Sequence, residues 1–484
     1  MVRECDVNKP SEEYIKSLVT DLVQSFIREQ GIRTPGGPTQ SAGEFGIFEE
    51  MEGAVNASLS AQQHLALLPL ERRRAIIAAM RRAGEEHAEE FSRQAVLESG
   101  RGNEGDKIAK NLLASRKTPG VEDIETVAYS DEHGLVVVER APYGVIGSIT
   151  PVTNPTATII HNAISMVAGG NSVVFNPHPG AKRVSIHAIQ VLNRAIVQAG
   201  GPANLLTAIA EPTVHSASQM MQHPSIALLA VTGGPQVVKV AMKNGKKVIA
   251  AGPGNPPCVV DETADIAKAG RDIVAGASFD NNLVCICEKE VLVVDRVADA
   301  LLHSMQQAGA FLLSPSQAQQ LKDVVIESPG GPQKEGVIAK AHVGQSASAL
   351  ATLIGVQVPA ATKLLIYEAA SDDPLVFTEQ LMPFIPVVRL GDVQQCIDLA
   401  VVCEHGYRHT AIMHSMDVQN LTRMGVAMNC SIFVKNGPCY AGLGQGGAGF
   451  TSMTIASPTG EGLTRARTFT RERRCTLVDY LRIV

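Results

Sequence analysis

The chain alternates short runs rich in valine, isoleucine and leucine with stretches of helical periodicity. This alternation limits the possible fold more than any other feature. Strand-like runs occur at 171–177, 226–232 and 246–251, and helical stretches follow the first two. A second series begins near residue 265 and continues through 363–369 and 411–415. Parallel strands need a crossover between them, usually a helix. The order therefore predicts an α/β protein with doubly wound parallel sheets.

Length, charge and cysteine spacing exclude several classes of protein. A chain of 484 residues is too long for one ordinary core and suits two or three domains. The net charge of −6 provides no basic field for nucleic acid. No run approaches the roughly 18 apolar residues of a membrane span. The nine cysteines are scattered without a CxxC pair, which favours the reducing cytoplasm over disulfides or a zinc site.

The N-terminal region, residues 1–44, has a different character from the rest of the chain. Residues 11–30 place apolar side chains at helical spacing, and Ser11 can cap the start. A stretch rich in proline and glycine follows at 31–46 and is typical of a linker. We expect an amphipathic helix tethered outside the main body. It packs on its own core or on a partner subunit, or it is a detachable peptide that binds in a partner's groove.

Two glycine-rich segments are candidates for phosphate binding. GLGQGG at 442–447 matches the GxGxxG pattern, but the sequence after it is extended rather than helical, which favours a loop. VTGGP at 231–235 is better placed because Thr232, Gly233 and Gly234 follow an apolar strand and open a helix. Backbone N–H groups at such a turn can approach a pyrophosphate. Glycine is also common in βα turns for steric reasons alone.

Cys285 is the best candidate for a nucleophile. It lies between a helical stretch and a strand, where a partly exposed thiolate could attack a carbonyl carbon. The alternative is that it is a small buried hydrophobic residue. His405, His409 and His414 lack the HExxH order of a zinc site. We interpret them as hydrogen-bonded histidines and predict no metal centre.

Several longer segments together resemble the aldehyde dehydrogenase superfamily. They are most similar to its CoA-acylating branch, the propionaldehyde and acetaldehyde dehydrogenases of bacterial microcompartments. The resemblance runs from about residue 45 to 475. The segments that carry it are APYGVIGSITPVTNPT (141–156), VVFNPHPGAK (173–182), VTGGP (231–235), AAGPGNPP (250–257), FDNNLVCICEKEV (279–291) and EQLMPF (379–384).

The resemblance implies a Rossmann-like cofactor domain, an α/β catalytic domain and a β arm for oligomerisation. By this likeness the NAD- and CoA-binding domain takes 45–124 and 142–254, and the catalytic domain takes 255–455. The arm takes 125–141 and 456–484. Residues 1–44 would form the encapsulation peptide that meets a microcompartment shell or cargo protein. A homodimer or homotetramer is expected.

The resemblance also implies how the reaction runs. Cys285 matches the nucleophile that carries the acyl group as a thioester. Asn154 matches the amide that stabilises the oxyanion, although hydrolytic members have it one place earlier, at Thr153. Those members carry a glutamate, the general base for water, at the position of Ala251. A methyl group cannot accept a proton, so the pattern favours transfer to CoA, whose thiol ionises more readily than water.

The cofactor implied by the resemblance is NAD, with CoA as co-substrate in the same cleft. Thr232, Gly233 and Gly234 match the pyrophosphate turn, and Glu379 matches the glutamate that holds the nicotinamide ribose. Asn176 stands where many hydrolytic relatives place a lysine for the adenosine ribose. The choice between NAD and NADP as the preferred cofactor therefore stays open. The remaining cofactor candidates in these motifs are Thr150, Pro177 and His178.

These features predict an NAD-dependent, CoA-acylating dehydrogenase of acetaldehyde or propionaldehyde, located in the cytoplasm inside a bacterial microcompartment. One alternative is a hydrolytic NAD(P)-dependent dehydrogenase that releases a free acid. The other is a non-catalytic shell or scaffold component that uses only the N-terminal helix.

Overall fold

The computed structural model describes residues 45–480, so the helix predicted at 11–30 lies outside the described residues. The described strands are β1 (Ile47–Phe48), β2 (Val127–Asp131), β3 (Gly134–Pro142), β4 (Val145–Thr150), β5 (Ser172–Pro177), β6 (Leu206–Ile209), β7 (Ile226–Thr232), β8 (Lys247–Ala251), β9 (Pro257–Val260), β10 (Glu290–Val294), β11 (Ala310–Leu312), β12 (Ile326–Ser328), β13 (Val337–Ile338), β14 (Leu364–Ala369), β15 (Phe384–Leu390), β16 (Thr410–His414), β17 (Ile432–Lys435), β18 (Ile455–Ala456), β19 (Gly462–Leu463) and β20 (Thr470–Val478).

The α-helices of the same range lie between these strands, as the alternating pattern predicts. They are α1 (Met51–Leu67), α2 (Leu70–Glu86), α3 (Ala88–Ser99), α4 (Glu104–Lys117), α5 (Pro155–Ala168), α6 (Lys182–Gln198), α7 (Val214–Gln222), α8 (Pro235–Met242), α9 (Ile266–Ala277), α10 (Asp295–Gln307), α11 (Pro315–Val325), α12 (Ala347–Leu353), α13 (Val393–Cys403) and α14 (Val418–Met428). None of these helices is long and apolar enough to cross a membrane.

The first sheet is parallel throughout, in the order β1-β6-β5-β4-β7-β8. From β4 the chain moves outward to β5 and β6, then returns to the other side of β4 for β7 and β8. The strand order thus reverses between β4 and β7, and such a reversal opens a crevice at the carboxyl ends of the strands. Thr150 and Thr232, the last residues of β4 and β7, flank this crevice.

The second sheet is also parallel, in the order β11-β14-β15-β10-β9-β16-β17. Only residues 252–256 connect the end of β8 to the start of β9. The carboxyl edge of the first sheet therefore lies beside the amino edge of the second. Strands β15, β10, β9 and β16 are consecutive neighbours, so the loops that lead into them meet at this junction.

A third, antiparallel sheet joins β2, β3 and β20. All of β2 and all of β20 after Thr470 are exposed, so this sheet lies outside both cores. The predicted arm segment at 456–484 is divided in the structure. Ala456, Ala466 and Phe469 pack in the core of the first sheet, and strand pairing with β3 begins at Thr470.

Candidate active site

The carboxyl edge of the first sheet offers small polar groups to the crevice. Thr150 is buried, and its Oγ1 has no hydrogen-bond partner among the described residues. Thr232 Oγ1 lies 3.0 Å from Thr454 Oγ1. An unpartnered buried hydroxyl at a topological switch point is a group that a polar ligand can satisfy.

Open space lies over the turn that joins β7 to α8. A Cβ placed on Gly234 would meet no atom within 4 Å, whereas one on Gly233 would approach Val237 Cγ1 to 2.8 Å. Gly234 caps the start of α8 without a side-chain partner for the first N–H groups. These features fit a dinucleotide, whose pyrophosphate would lie against the helix N-terminus.

The three cofactor candidates at the end of β5 and directly after it differ in their surroundings. The Asn176 amide is buried, accepting from Ser216 Oγ at 2.6 Å and donating to the Thr213 carbonyl at 3.4 Å. Pro177 is buried at the end of β5, whereas His178 is exposed and its Nδ1 accepts the Gly180 N–H at 3.0 Å. The Asn176 side chain thus already supports the start of α7, and its contact with a cofactor remains a prediction.

The amino edge of the second sheet brings four segments together. Gly254 precedes β9, Cys285 precedes β10, Glu379 precedes β15 and His409 immediately precedes β16. The Gly254 N–H donates to Glu379 Oε1 at 3.3 Å. A Cβ on Gly254 would come within 2.6 Å of the Cys285 carbonyl oxygen and 3.1 Å of the His409 ring. A thiol, a carboxyl group and an imidazole therefore share one junction.

The loop that carries Cys285 has an unusual backbone. Asp280, Asn281 and Asn282 all have positive φ, at 49°, 55° and 62°. Such conformations cost energy in non-glycine residues and persist where the surroundings over-determine them. Asn282 is fixed by donating its amide to the carbonyls of Ala277 and Glu288 at 2.7 and 3.0 Å. The loop is therefore held in one shape just before the thiol.

Burial controls the electrostatics of the junction. Burial raises the pKa of Cys285 to about 12, with the charge of Glu379 adding to the rise and that of Lys289 opposing it. Burial likewise raises the pKa of Glu379 to about 7 and lowers the pKa of His409 to about 4. At neutral pH the thiol is protonated and the imidazole is neutral, with Nε2 unpartnered among the described residues.

The position of the missing general base is filled by a methyl group. Ala251 ends β8 and is buried. The carboxyl group whose charge acts on Cys285 is Glu379, which already accepts the Gly254 N–H. The predicted oxyanion donor Asn154 precedes α5, and its Oδ1 accepts from Lys110 Nζ while its Nδ2 donates to Thr153 Oγ1 at 3.3 Å.

The model of the aldehyde dehydrogenase family matches residues 46–453. This chain belongs to the aldehyde dehydrogenase family. An acetylating acetaldehyde dehydrogenase of Escherichia coli is 50% identical over 448 residues, which cover 92% of this chain and 95% of the relative.

Solved structures agree with this assignment. A propionaldehyde dehydrogenase of Rhodopseudomonas palustris, with bound CoA and an acylated cysteine, has a TM-score of 0.87 at 46% identity, covering 90% of this chain and 98% of that one. A propionaldehyde dehydrogenase from the fucose utilisation microcompartment of Clostridium phytofermentans has a TM-score of 0.88 at 45% identity, covering 91% and 100%.

The histidines of this aldehyde dehydrogenase depart from the sequence interpretation. His405 is hydrogen-bonded, with Nε2 3.0 Å from the Phe377 carbonyl oxygen. His409 is hydrogen-bonded as well, with Nδ1 2.8 Å from Thr410 Oγ1. His409 and His414 are buried, and neither Nε2 has a partner among the described residues, so the interpretation as fully hydrogen-bonded histidines is wrong for these two Nε2 atoms. Sequence reasoning missed His409 as a site residue. Its place directly before the strand run at 410–414 was the available signal.

Proposed function

We propose that this aldehyde dehydrogenase oxidises acetaldehyde or propionaldehyde with NAD and transfers the acyl group to CoA. The observation that carries the proposal is the buried methyl of Ala251, in the place where the family's hydrolytic members carry their base. The acetylating and CoA-bound relatives support the same conclusion. Thr150, Thr232, the Gly233–Gly234 turn and Glu379 would hold NAD.

The first step is the attack of Cys285 Sγ on the aldehyde carbonyl carbon. The thiol gives its proton to solvent, which reaches the partly exposed Cys285, and an S–C bond forms as the carbonyl electron pair moves onto oxygen. Lys289 is the buried cation that favours the thiolate, because its charge lowers the thiol pKa against the effect of burial. Asn154 Nδ2 and the Cys285 backbone N–H would donate to the new oxyanion.

The second step re-forms the carbonyl as a hydride leaves the same carbon, so that Cys285 holds the acyl group as a thioester. NAD, when bound, supplies the hydride acceptor. Glu379 can accept hydrogen bonds from ribose hydroxyls in its ionised form, and it holds the loop of Gly254 in place through the backbone N–H. The chain thus orients the dinucleotide from both sheets.

The third step transfers the acyl group from Cys285 to the CoA sulfur. The CoA thiol must lose a proton as its S–C bond forms and the Cys285 S–C bond breaks. The His409 imidazole is neutral. In the tautomer whose Nδ1–H donates to Thr410 Oγ1 at 2.8 Å, Nε2 has no described partner and can accept that proton. Water, with a pKa near 15.7 against about 8.5 for a thiol, would need a stronger base than Ala251 leaves in place.

The deciding experiment is NADH formation from acetaldehyde and from propionaldehyde, with and without CoA. With CoA we expect steady turnover and acyl-CoA detected by mass spectrometry. Without CoA we expect one burst of NADH per active site and then near arrest. Steady CoA-independent NADH formation at a comparable rate would identify a hydrolytic dehydrogenase instead. The faster of the two aldehydes defines the preferred chain length.

Two finer proposals concern assembly. The exposed strands β2 and β20 are the two edges of the third sheet, and both edges are available for strand pairing with another copy of this chain. This supports a homodimer or homotetramer. Sedimentation analysis measures this. The apolar stripe in the sequence at 11–30 supports attachment to a microcompartment shell or cargo protein. Deletion of residues 1–40 should abolish co-purification with shells and leave activity unchanged.

A further inference from the structure

A buried charge cluster, formed by two lysines of α4 and by Asp280, connects two loops. One loop carries the proposed oxyanion donor and the other carries the nucleophile. Lys110 Nζ donates both to Asn154 Oδ1 and to Asp280 Oδ2. Lys107 Nζ donates to Asp280 Oδ2 at 3.0 Å and to the Thr153 carbonyl at 3.3 Å. The lysines and Asp280 are all buried, so solvent does not weaken these contacts.

The same cluster fixes the strained start of the nucleophile loop. The Asp280 backbone N–H donates to Asp106 Oδ2 at 2.8 Å, and the Asn103 N–H donates to Asp280 Oδ1 at 2.9 Å. Asp280 is one of the residues with positive φ. Helix α4 therefore sets the position of the 279–285 loop relative to that of the 153–154 loop.

The chemistry of Lys110 decides which end of the Asn154 amide faces it. An ammonium group has three donors and no acceptor, so it can face only the amide oxygen. With Oδ1 held by Lys110, Nδ2 must point the other way. One Nδ2 hydrogen is directed to Thr153 Oγ1, and no described hydrogen bond uses the other. That second N–H is the one available to an oxyanion.

We infer that Lys110 is a positioning residue that fixes the orientation of the Asn154 amide, so that Nδ2 and not Oδ1 faces the oxyanion formed at Cys285. The inference rests on the oxyanion role proposed for Asn154. Without the ammonium, the neighbouring Asp280 carboxylate can only accept, which favours Nδ2 on its side. The rotated amide would place Oδ1 toward a negative oxygen and oppose catalysis.

The test uses two reagents that react with Cys285 in different ways and need neither NAD nor CoA. p-Nitrophenyl acetate acylates the thiol through a tetrahedral oxyanion and releases p-nitrophenolate. Iodoacetamide alkylates the same thiol by displacement of iodide, with no oxyanion. The ratio of the two rate constants reports on the oxyanion donor alone, since loop position and thiol ionisation affect both reactions.

The variants are Lys110→Met, Asn154→Ala and the two combined. We expect Lys110→Met to lower the acylation rate by about 10², the scale of one oxyanion donor, and to change alkylation less than twofold. In the Asn154→Ala background, Lys110→Met should have no further effect, because its action runs through Asn154. Additive losses, or equal losses in both reactions, would overturn the inference. Full acylation activity in Asn154→Ala would overturn it too.

Two controls separate positioning from folding. Lys107→Met removes the other ammonium on Asp280 but leaves Lys110 against Asn154, so it should lower Tm comparably and change the ratio much less. Lys110→Arg keeps charged donors and should restore most of the ratio. If Lys110→Met does not fold, Lys110→Ala, which also has no side-chain donor, is measured in its place, and an unchanged ratio there contradicts the inference. The CoA-dependent NADH assay judges the proposed function separately.

Discussion

The two parallel sheets contribute unlike surfaces to one crevice. The carboxyl edge of the first sheet presents small neutral groups, the hydroxyl of Thr150 and the open turn at Gly234. The amino edge of the second sheet presents Cys285, Glu379 and His409, all with pKa values displaced by burial. One edge offers space for a ligand, and the other places reactive groups where the low dielectric makes their charges strong.

Buried charge behind the second edge deepens the contrast. Burial raises the pKa of Glu288 to about 7 and that of Glu290 well above its usual range. Lys289 opposes the rise in both, and it also donates to the Asn282 carbonyl at 2.9 Å. The positive charge of Lys289 is therefore shared among several buried groups. At the first edge, by contrast, ligand binding depends mainly on the open space at the turn.

The strongest test of the contrast is loss of the nucleophile. Cys285→Ser should lower CoA-dependent NADH formation from propionaldehyde by about 10⁴-fold or more, because a hydroxyl is a far weaker nucleophile here. NAD binding, measured by calorimetry, should persist since the first edge is untouched. Cys475→Ser, in the exposed strand β20, is the matched control with full activity. Activity above one hundredth in Cys285→Ser would remove that residue from its role.

The next test separates the two ends of one strand. His409→Ala should reduce steady CoA-dependent turnover by about 10²–10³, as expected for loss of a general base, and keep the single burst of NADH. His414 ends the same strand and is also buried, with its pKa lowered to about 4 by burial. His414→Ala should therefore lower Tm without slowing acyl transfer. Equal kinetic losses in both variants would show that burial, not position, is responsible.

Sequence reasoning performed differently on these two edges. The alternating pattern and the motifs predicted the family, the α/β fold and a CoA-acylating activity, and the comparisons confirm all three. The turn at 232–234 could be predicted from sequence because glycines directly after an apolar strand are a local pattern. The unpartnered Nε2 of His409 and the contacts of Lys110 could not be predicted, because they depend on which segments the fold brings together.

Asn176, on the first sheet, illustrates the same limit of prediction from sequence. Motif position made it a cofactor candidate, yet its amide is engaged with Ser216 and Thr213, which lie 40 and 37 residues further along the chain. Such a contact leaves no local signature in sequence. Assignments of single polar residues therefore need the tertiary contacts, even where the motif that contains them is correctly recognised.

A third prediction uses pH to compare the edges. Since burial raises the pKa of Glu379 to about 7, its ionised, accepting form predominates above pH 7. The affinity for NAD, measured by calorimetry, should be flat above that pH and fall below it by up to tenfold per unit. Glu379→Gln should have a lower value that no longer varies across this range. His409, with its pKa near 4, stays neutral throughout, and an unchanged profile in Glu379→Gln would contradict the assignment.

A fourth prediction moves a charged group onto the first edge. Ala251→Glu restores a carboxyl group at the end of β8, and burial will raise its pKa toward that of a usable base. We expect CoA-independent NADH formation to continue after the burst, at several times the wild-type rate, with free acid as product. Ala251→Gln has a similar shape and no basic oxygen anion, so it should not gain this activity. Equal rates in the two variants would mean that the methyl group does not limit hydrolysis.

The smallest effect is expected at the glycine turn, and it tests whether the first edge acts through space alone. Gly234 has φ of −64° and a Cβ there would meet nothing within 4 Å, so Gly234→Ala should change Tm little while raising KM for NAD a few-fold. Gly233→Ala brings its Cβ to 2.8 Å from Val237 Cγ1 and should lower Tm as well. Because neither variant touches the second edge, both should alkylate Cys285 with iodoacetamide at the wild-type rate. Slower alkylation in Gly234→Ala would show that the two edges are coupled. A change at the binding edge would then reach Cys285 at the reactive edge, through the packing of β7 against β8.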